Sequence, residues 1–218
     1  MKPRHKGIIF DLDGTLVDTL GDIAATMNRS LELHGFQALP VEEYRGKVGW
    51  GIIRLAQLAL PPDARGGEMP ALVAADAAKF YAEAPLVHSK AYPGIPELIA
   101  ALGLRKIKTA VLSNKPDPAA QKVIAGLFPQ GSFSAVQGEM PGKARKPDPA
   151  CVWEILFMMD LTPASVIFAG DSEIDMETAA ASGCFPLGVS WGYRSADTIF
   201  AAGARNMINR PEELLELL

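Results

Sequence analysis

Short apolar runs that end on small or polar residues recur along the chain, and apolar residues at helical spacing fill the intervals between them. Gly7-Ile8-Ile9-Phe10 is the first run. Residues 107–112 (IKTAVL), 134–137, 166–169, 186–189 and 206–208 are the others. Their length and bounding turn residues predict strands, since periodicity alone does not separate a short apolar run from buried helix. Pro93-Gly94 precede Ile95, Leu98, Ile99 and Leu102, a helical stripe. Asp117-Pro118 precede a second stripe of Val123, Ile124 and Leu127. Asp148-Pro149 open a third helix, with aspartate suited to the N-cap and proline to the first turn. Residues 173–182 form a fourth, stopped by Gly183. Strands alternating with helices predict an α/β fold, a doubly wound parallel sheet covered on both faces, with a Rossmann-like core.

Residues 18–85 break this rhythm. They carry helical patterns at 20–33, 42–47, 51–60 and 70–83 and no convincing strand, and a proline- and glycine-rich loop spans 60–67. The prediction is a core made of residues 1–17 and 86–218 with a helical cap, 18–85, inserted after the first strand. The hinges are expected near Val17-Asp18 and Pro85-Leu86.

Composition narrows the partners. The 218 residues suit one core with a smaller insert. A net charge of −4, with no run of Lys or Arg beyond two, excludes a nucleic-acid duplex as the main partner but leaves room for a small anion. The N-terminal apolar stretch is too short for a secretion signal, and nothing approaches the roughly 20 apolar residues of a membrane helix. A cytoplasmic protein, monomer or homodimer, without a membrane partner is expected. Cys151 and Cys184 belong to no CxxC pair, and His5, His34 and His88 are too scattered for a metal set.

Ligands of open parallel sheets bind beyond the carboxyl ends of the strands, and there the candidate chemistry gathers. Asp11-Leu12-Asp13-Gly14-Thr15 follows the first strand. A carboxylate at position 11 can attack phosphorus, and one at 13 can exchange a proton with a leaving group. An isolated pair of this kind is otherwise a solvated turn. Ser113 and Asn114 offer a hydroxyl and an amide to a phosphoryl oxygen, or form a polar loop. Lys146 stands just before a helix start, where an anion is favoured. Asp171 follows the strongest strand, with Asp175 a helical turn beyond. Asp171 reads either as a helix N-cap or, with Asp11, as a site for a hard cation.

In this order the four segments resemble the haloacid-dehalogenase superfamily, whose motifs are DxDGT, a Ser or Thr after the second strand, a Lys, and GDxxxD. The resemblance covers essentially the whole chain, including a cap after the first motif. It implies Asp11 as nucleophile and magnesium ligand, and Asp13 as general acid/base with its backbone carbonyl on the metal. Ser113 and Lys146 would hold the phosphoryl group, with Asn114 beside them. Asp171 would complete the Mg²⁺ site, and Asp175 would stand behind it. The superfamily's dehalogenases lack the second acid and need no metal, so Asp13 and Asp171 favour phosphoryl chemistry. Ser113-Asn114-Lys115-Pro116, Lys146-Pro147-Asp148-Pro149, Val189-Ser190-Trp191-Gly192-Tyr193 and Val48-Gly49-Trp50-Gly51 look like the phosphoglycolate phosphatase branch. Relatives acting on pyrophosphate, sugar phosphates and nucleotides share them.

The resemblance therefore implies a magnesium-dependent phosphatase working through an aspartyl phosphate on a small phosphorylated metabolite, a phosphoglycolate-like phosphomonoester first. A β-phosphoglucomutase-like phosphomutase shares the same loops and is the alternative. A catalytically idle binding relative is disfavoured by the intact acids. In the cap, Arg45 and Lys47 are the candidates for contact with an acidic substrate group.

Overall fold

The first apolar run forms β1 (Gly7–Phe10), buried at every position because both of its faces are covered. The computed structural model describes residues 5–218, so the first four residues of the predicted core range lie outside the described residues. After β1 come β2 (Val17–Asp18), α1 (Leu20–Leu33), α2 (Ile52–Ala59), α3 (Met69–Glu83) and β3 (Lys90–Ala91). The chain then alternates: α4 (Ile95–Leu104), β4 (Lys108–Pro116), α5 (Asp117–Leu127), β5 (Ala135–Glu139), α6 (Ala150–Met159), β6 (Val166–Gly170), α7 (Glu173–Ser182), β7 (Phe185–Val189), α8 (Ala196–Ala201) and β8 (Asn206–Ile208).

Six strands build one sheet in the order β5-β4-β1-β6-β7-β8, every neighbouring pair parallel. Side chains alternate across it, as a two-residue period requires. Ile8, Phe10, Val111 and Ile167 join one apolar cluster with Leu98 of α4 and Val123 of α5. Ile9, Leu112 and Phe168 join the other, with Val152 and Ile155 of α6. From β1 the chain builds outward through β4 on one side and β6 on the other. The strand order therefore reverses at β1, which makes its carboxyl end a ligand crevice.

The interval between β2 and β3 is helical, as the sequence predicts. Met27 and Leu31 of α1, Ala56 of α2 and Val73 and Ala77 of α3 are buried in the first cluster. The buried Asp22 carboxylate ties α1 to the returning chain, accepting from the backbone of His88 and Ser89 at 2.9 and 2.8 Å and from Ser89 Oγ at 2.5 Å.

Two local expectations differ. The second connecting strand lies at Lys90–Ala91, paired antiparallel with Val17–Asp18, and not near Pro85-Leu86. Leu86 instead packs over Gly126 of α5, where a Cβ would collide with it. The second predicted strand also runs on past Leu112: Ser113, Asn114 and Lys115 are extended and buried within β4, whose register with β5 shifts between Leu112 and Pro116. Polar residues continue a buried strand here because each finds a partner, as described below. The short α8 has too few residues for a periodic pattern, and its start is fixed by Ser195 Oγ accepting from Thr198 N.

Candidate active site

Asp11 is the first residue beyond β1. Its N–H donates to Ala169 O at 2.9 Å, so the backbone of β6 holds it in place. Lys146 Nζ lies 2.6 Å from Asp11 Oδ1 and 2.7 Å from Asp175 Oδ1, and all three side chains are buried. Asp175 gives its other oxygen to Ser172, whose N–H and Oγ donate at 3.1 and 2.6 Å. Ser172 is thereby the N-cap of α7 in a reciprocal capping box. That frees Asp171 from the capping role the sequence left open. Asp171 accepts from Thr15 Oγ1 at 3.0 Å and from Tyr193 N at 2.7 Å.

The turn between Asp13 and Thr15 brings the two acidic segments together. Gly14 has φ +93°, and a Cβ there would lie 2.5 Å from Asp171 Oδ2; one on Gly192 would strike the same carboxylate. Asp13 is held by one oxygen: Lys115 Nζ is 2.9 Å and Thr19 Oγ1 2.6 Å from Oδ1. Thr19 in turn offers its N–H to Tyr193 Oη at 3.0 Å. Lys115 also sits 4.1 Å over the ring of Tyr81 from α3, so a cap aromatic covers the acid's counter-ion.

The electrostatics follow from crowding. Asp11, Asp171 and Asp175 each offer an oxygen within 4.8 Å of the others. Burial first holds the Asp11 carboxyl well above the ordinary carboxylate range; Lys146 opposes this, and Asp175, Asp171 and Asp13 add to it. Asp171 is pushed up to about 7, by burial first and then by Asp175, against its bonds to Tyr193 and Thr15. Burial would lower Lys146, but Asp11 and Asp175 outweigh it and keep the ammonium charged. Lys115 is likewise held up by Asp13 and Tyr81 against burial. A buried set of carboxylate oxygens with excess negative charge fits a hard divalent cation such as Mg²⁺. Both oxygens of Asp175 are engaged by Lys146 and Ser172, which leaves Asp11 and Asp171 as the carboxylates suited to hold one.

Ser113 is buried, and its Oγ accepts from Lys115 N at 3.2 Å, so its hydroxyl hydrogen remains to be given. Asn114 is placed otherwise than its predicted role requires. Its amide donates to Gly49 O of the cap and to Lys146 O, both at 3.0 Å, while Oδ1 is buried without a partner. Asn114 thus fastens the Lys146 segment and the cap loop to β4. Arg45 and Lys47 are not brought to the carboxylates. Arg45 Nε pairs with Glu42 at 2.7 Å, and Lys47 Nζ donates to Glu43 O at 2.9 Å. Arg194 is the cation that meets this loop, donating to the carbonyls of Arg45, Gly46 and Val48 while pairing with Glu173 at 3.1 Å.

Lys115, Thr19, Tyr193 and Arg194 are the residues that sequence reasoning missed as site members. Lys115 had a readable signal: two residues after Ser113 in extended backbone, it faces the same side of β4. Arg194 had none, because the carbonyls that bring it to the loop lie about 150 residues away. Between the cap helices and this site lies a cavity of about 370 Å³ whose wall includes Asp11, Asp13, Ser113, Lys146 and Asp171.

Known proteins share this architecture. The family model for haloacid dehalogenase-like hydrolases matches residues 8–189. A phosphoglycolate phosphatase of Rhodospirillum rubrum is 32% identical over 205 residues, covering 91% of this chain and 85% of its own length. A phosphoglycolate phosphatase of Cereibacter sphaeroides is 31% identical over 214 residues, covering 97% of each chain. A crystal structure from Lactobacillus delbrueckii subsp. bulgaricus superposes with a TM-score of 0.91 at 30% identity, covering 99% of each chain.

Proposed function

The chain belongs to the haloacid dehalogenase-like hydrolase family, and on that premise we propose that it is a magnesium-dependent phosphomonoesterase with Asp11 as nucleophile. The observation that carries this reading is the pair of contacts from Lys146 Nζ to Asp11 and Asp175, at the strand switch point beside Asp13 and Asp171. Residues 18–85 are proposed as the cap over residues 5–17 and 86–218. The relatives' name makes phosphoglycolate the reference ester. Cys151 and Cys184, free and buried, suit a reducing compartment, so the proposed place of action is the cytoplasm.

In the first half of the reaction an Asp11 carboxylate oxygen attacks phosphorus, and the bond from phosphorus to the ester oxygen breaks. The departing alkoxide takes a proton from Asp13, whose Oδ2 remains available because Lys115 and Thr19 hold Oδ1. In the second half Asp13 accepts a proton from water as its oxygen attacks the aspartyl phosphate. Phosphate leaves, and Asp11 is restored as a carboxylate. Ser113 Oγ–H donates to a phosphoryl oxygen, and the Lys146 ammonium neutralises charge there, which is most of what phosphoryl transfer asks of a protein. Magnesium, held by the Asp11 and Asp171 carboxylates and the Asp13 carbonyl, would supply further positive charge to the phosphoryl oxygens.

The test is phosphate release from a panel of phosphomonoesters, with and without Mg²⁺, for the wild type and Asp11→Asn. Metal-dependent release that vanishes in a folded Asp11→Asn protein is the expected result. Wild-type turnover by that variant would remove Asp11 from the mechanism.

A further inference from the structure

The wall of the cavity beyond the carboxylates carries information about what leaves. Ile23 and Met27 of α1, Ile52 and Leu55 of α2, and Ala78 and Tyr81 of α3 face it. Four cationic side chains share the wall: Lys79, Lys115, Lys146 and Arg194. Each already has an acidic partner. Lys115 is 2.9 Å from Asp13, Lys146 is 2.6 and 2.7 Å from Asp11 and Asp175, and Arg194 is 3.1 Å from Glu173. Lys79, the fourth, pairs with Asp76 at 3.0 Å and is 72% exposed at the rim. A second anionic group held inside the cavity would have to break one of the three inner pairs or be buried without a counter-charge; low-dielectric surroundings penalise both, and the solvent-screened Lys79 at the rim offers little. Two neutral polar atoms on the wall make no hydrogen bond of ordinary geometry: Asn114 Oδ1, and the buried Tyr81 hydroxyl, which stands near Lys115 and Ser89.

We propose that the leaving group of this enzyme's substrate is uncharged and mainly apolar, with one hydrogen-bonding oxygen for Tyr81. The substrate is thus the phosphate ester of an apolar alcohol, and a carboxylated ester such as phosphoglycolate is a poor one. The inference rests on the phosphomonoesterase reading and adds the substrate class. An apolar wall with few placed polar groups is the usual make-up of a site that selects a neutral ligand. The same pairing of cations disfavours a mutase cycle, in which a second phosphate has to be held while the first is transferred.

The experiment compares kcat/KM for benzyl phosphate, propyl phosphate and phosphoglycolate in Mg²⁺. All three expel an alkoxide, so the comparison reads mainly the pocket. Benzyl phosphate is expected to exceed phosphoglycolate at least 30-fold, mostly through KM. Ile52 is half-buried on the wall and outside the catalytic set. Ile52→Lys should lower the ratio of benzyl phosphate to phosphoglycolate at least tenfold. Ile52→Ala, a milder change, should lower it at least threefold. Phosphoglycolate turned over as well as benzyl phosphate by the wild type would overturn the inference and leave the phosphatase standing. Ratios unmoved by both Ile52 variants would overturn it too. Absence of Mg²⁺-dependent release from every ester, these three and the wider panel alike, would overturn the phosphatase reading together with the inference.

Discussion

Replacing Asp171 by Asn should stabilise the metal-free protein while destroying its response to magnesium. Asp171 is 2% exposed, and burial together with Asp175 pushes its pKa up to about 7. A carboxyl raised in the folded state binds its proton more tightly there than in the unfolded chain, where the value is about 4. Its contribution to stability is therefore complete below about pH 4 and is lost as pH rises through about 7. Three pH units at about 1.4 kcal/mol each make the loss about 4 kcal/mol above pH 7, and relaxation of the site brings the expected value to about 2–4 kcal/mol. Asn is neutral at every pH and keeps the geometry. Its carbonyl can accept from Tyr193 N, and its amide can donate to Thr15 Oγ1, a hydroxyl able to reverse its role. Urea unfolding in EDTA should show the two proteins equal near pH 4 and the variant more stable by about 2–4 kcal/mol at pH 8. Magnesium at pH 8 should raise the stability of the wild type and leave the variant unmoved. A variant no more stable than wild type at pH 8, or an advantage independent of pH, would refute the claim that buried charge at Asp171 is what destabilises the protein in EDTA.

Lys146→Met leaves Asp11 and Asp175 buried without their shared cation. It should cost about 3–5 kcal/mol in urea unfolding near pH 8 and abolish phosphate release. Retained turnover would remove Lys146 from the phosphoryl site. Gly14→Ala puts a Cβ 2.5 Å from Asp171 Oδ2 at φ +93°. The expected result is a stability loss of about 1–3 kcal/mol and a fall in kcat of roughly 100-fold at saturating Mg²⁺, which an unchanged kcat would contradict. Arg45→Ala removes an exposed guanidinium paired with Glu42. It should change kcat/KM for charged and neutral esters alike by less than about twofold, and a selective rise in KM for acidic esters would put Arg45 back in the site.

The sequence by itself determined the layered α/β plan, the helical patterns between the first strand and the rest of the sheet, and the acids after the strand runs with the lysine before a helix start. Strand runs such as 7–10 and 166–169 are apolar throughout because a strand covered on both faces disfavours polar side chains that have no partner, and that pattern survives without coordinates. Asp11, Asp13, Ser113 and Asp171 were legible for a related reason, since each follows a run whose direction the parallel sheet fixes, while Lys146 was legible from its place before a helix start.

What only the tertiary structure decided is how these groups pair. Ser113-Asn114-Lys115 reads as a loop because polar residues rarely continue a buried strand, yet here the Asn114 amide nitrogen and the Lys115 ammonium find partners in other parts of the chain. Asn114 reaches Gly49 and Lys146, and Lys115 reaches Asp13. Asp171 read equally as a cap of α7 or as a cation ligand until Ser172 took the cap and Tyr193 N and Thr15 Oγ1 met the carboxylate. Arg45 and Lys47 promised anion contact by charge alone; the structure pairs them with Glu42 and Glu43 on the same turn, and neither is among the residues that line the cavity. Local patterns fix elements because backbone geometry repeats over a few residues. Which cation meets which anion depends on contacts more than a hundred residues apart, as with Lys146 and Asp11 or Lys115 and Asp13, and no local pattern encodes those.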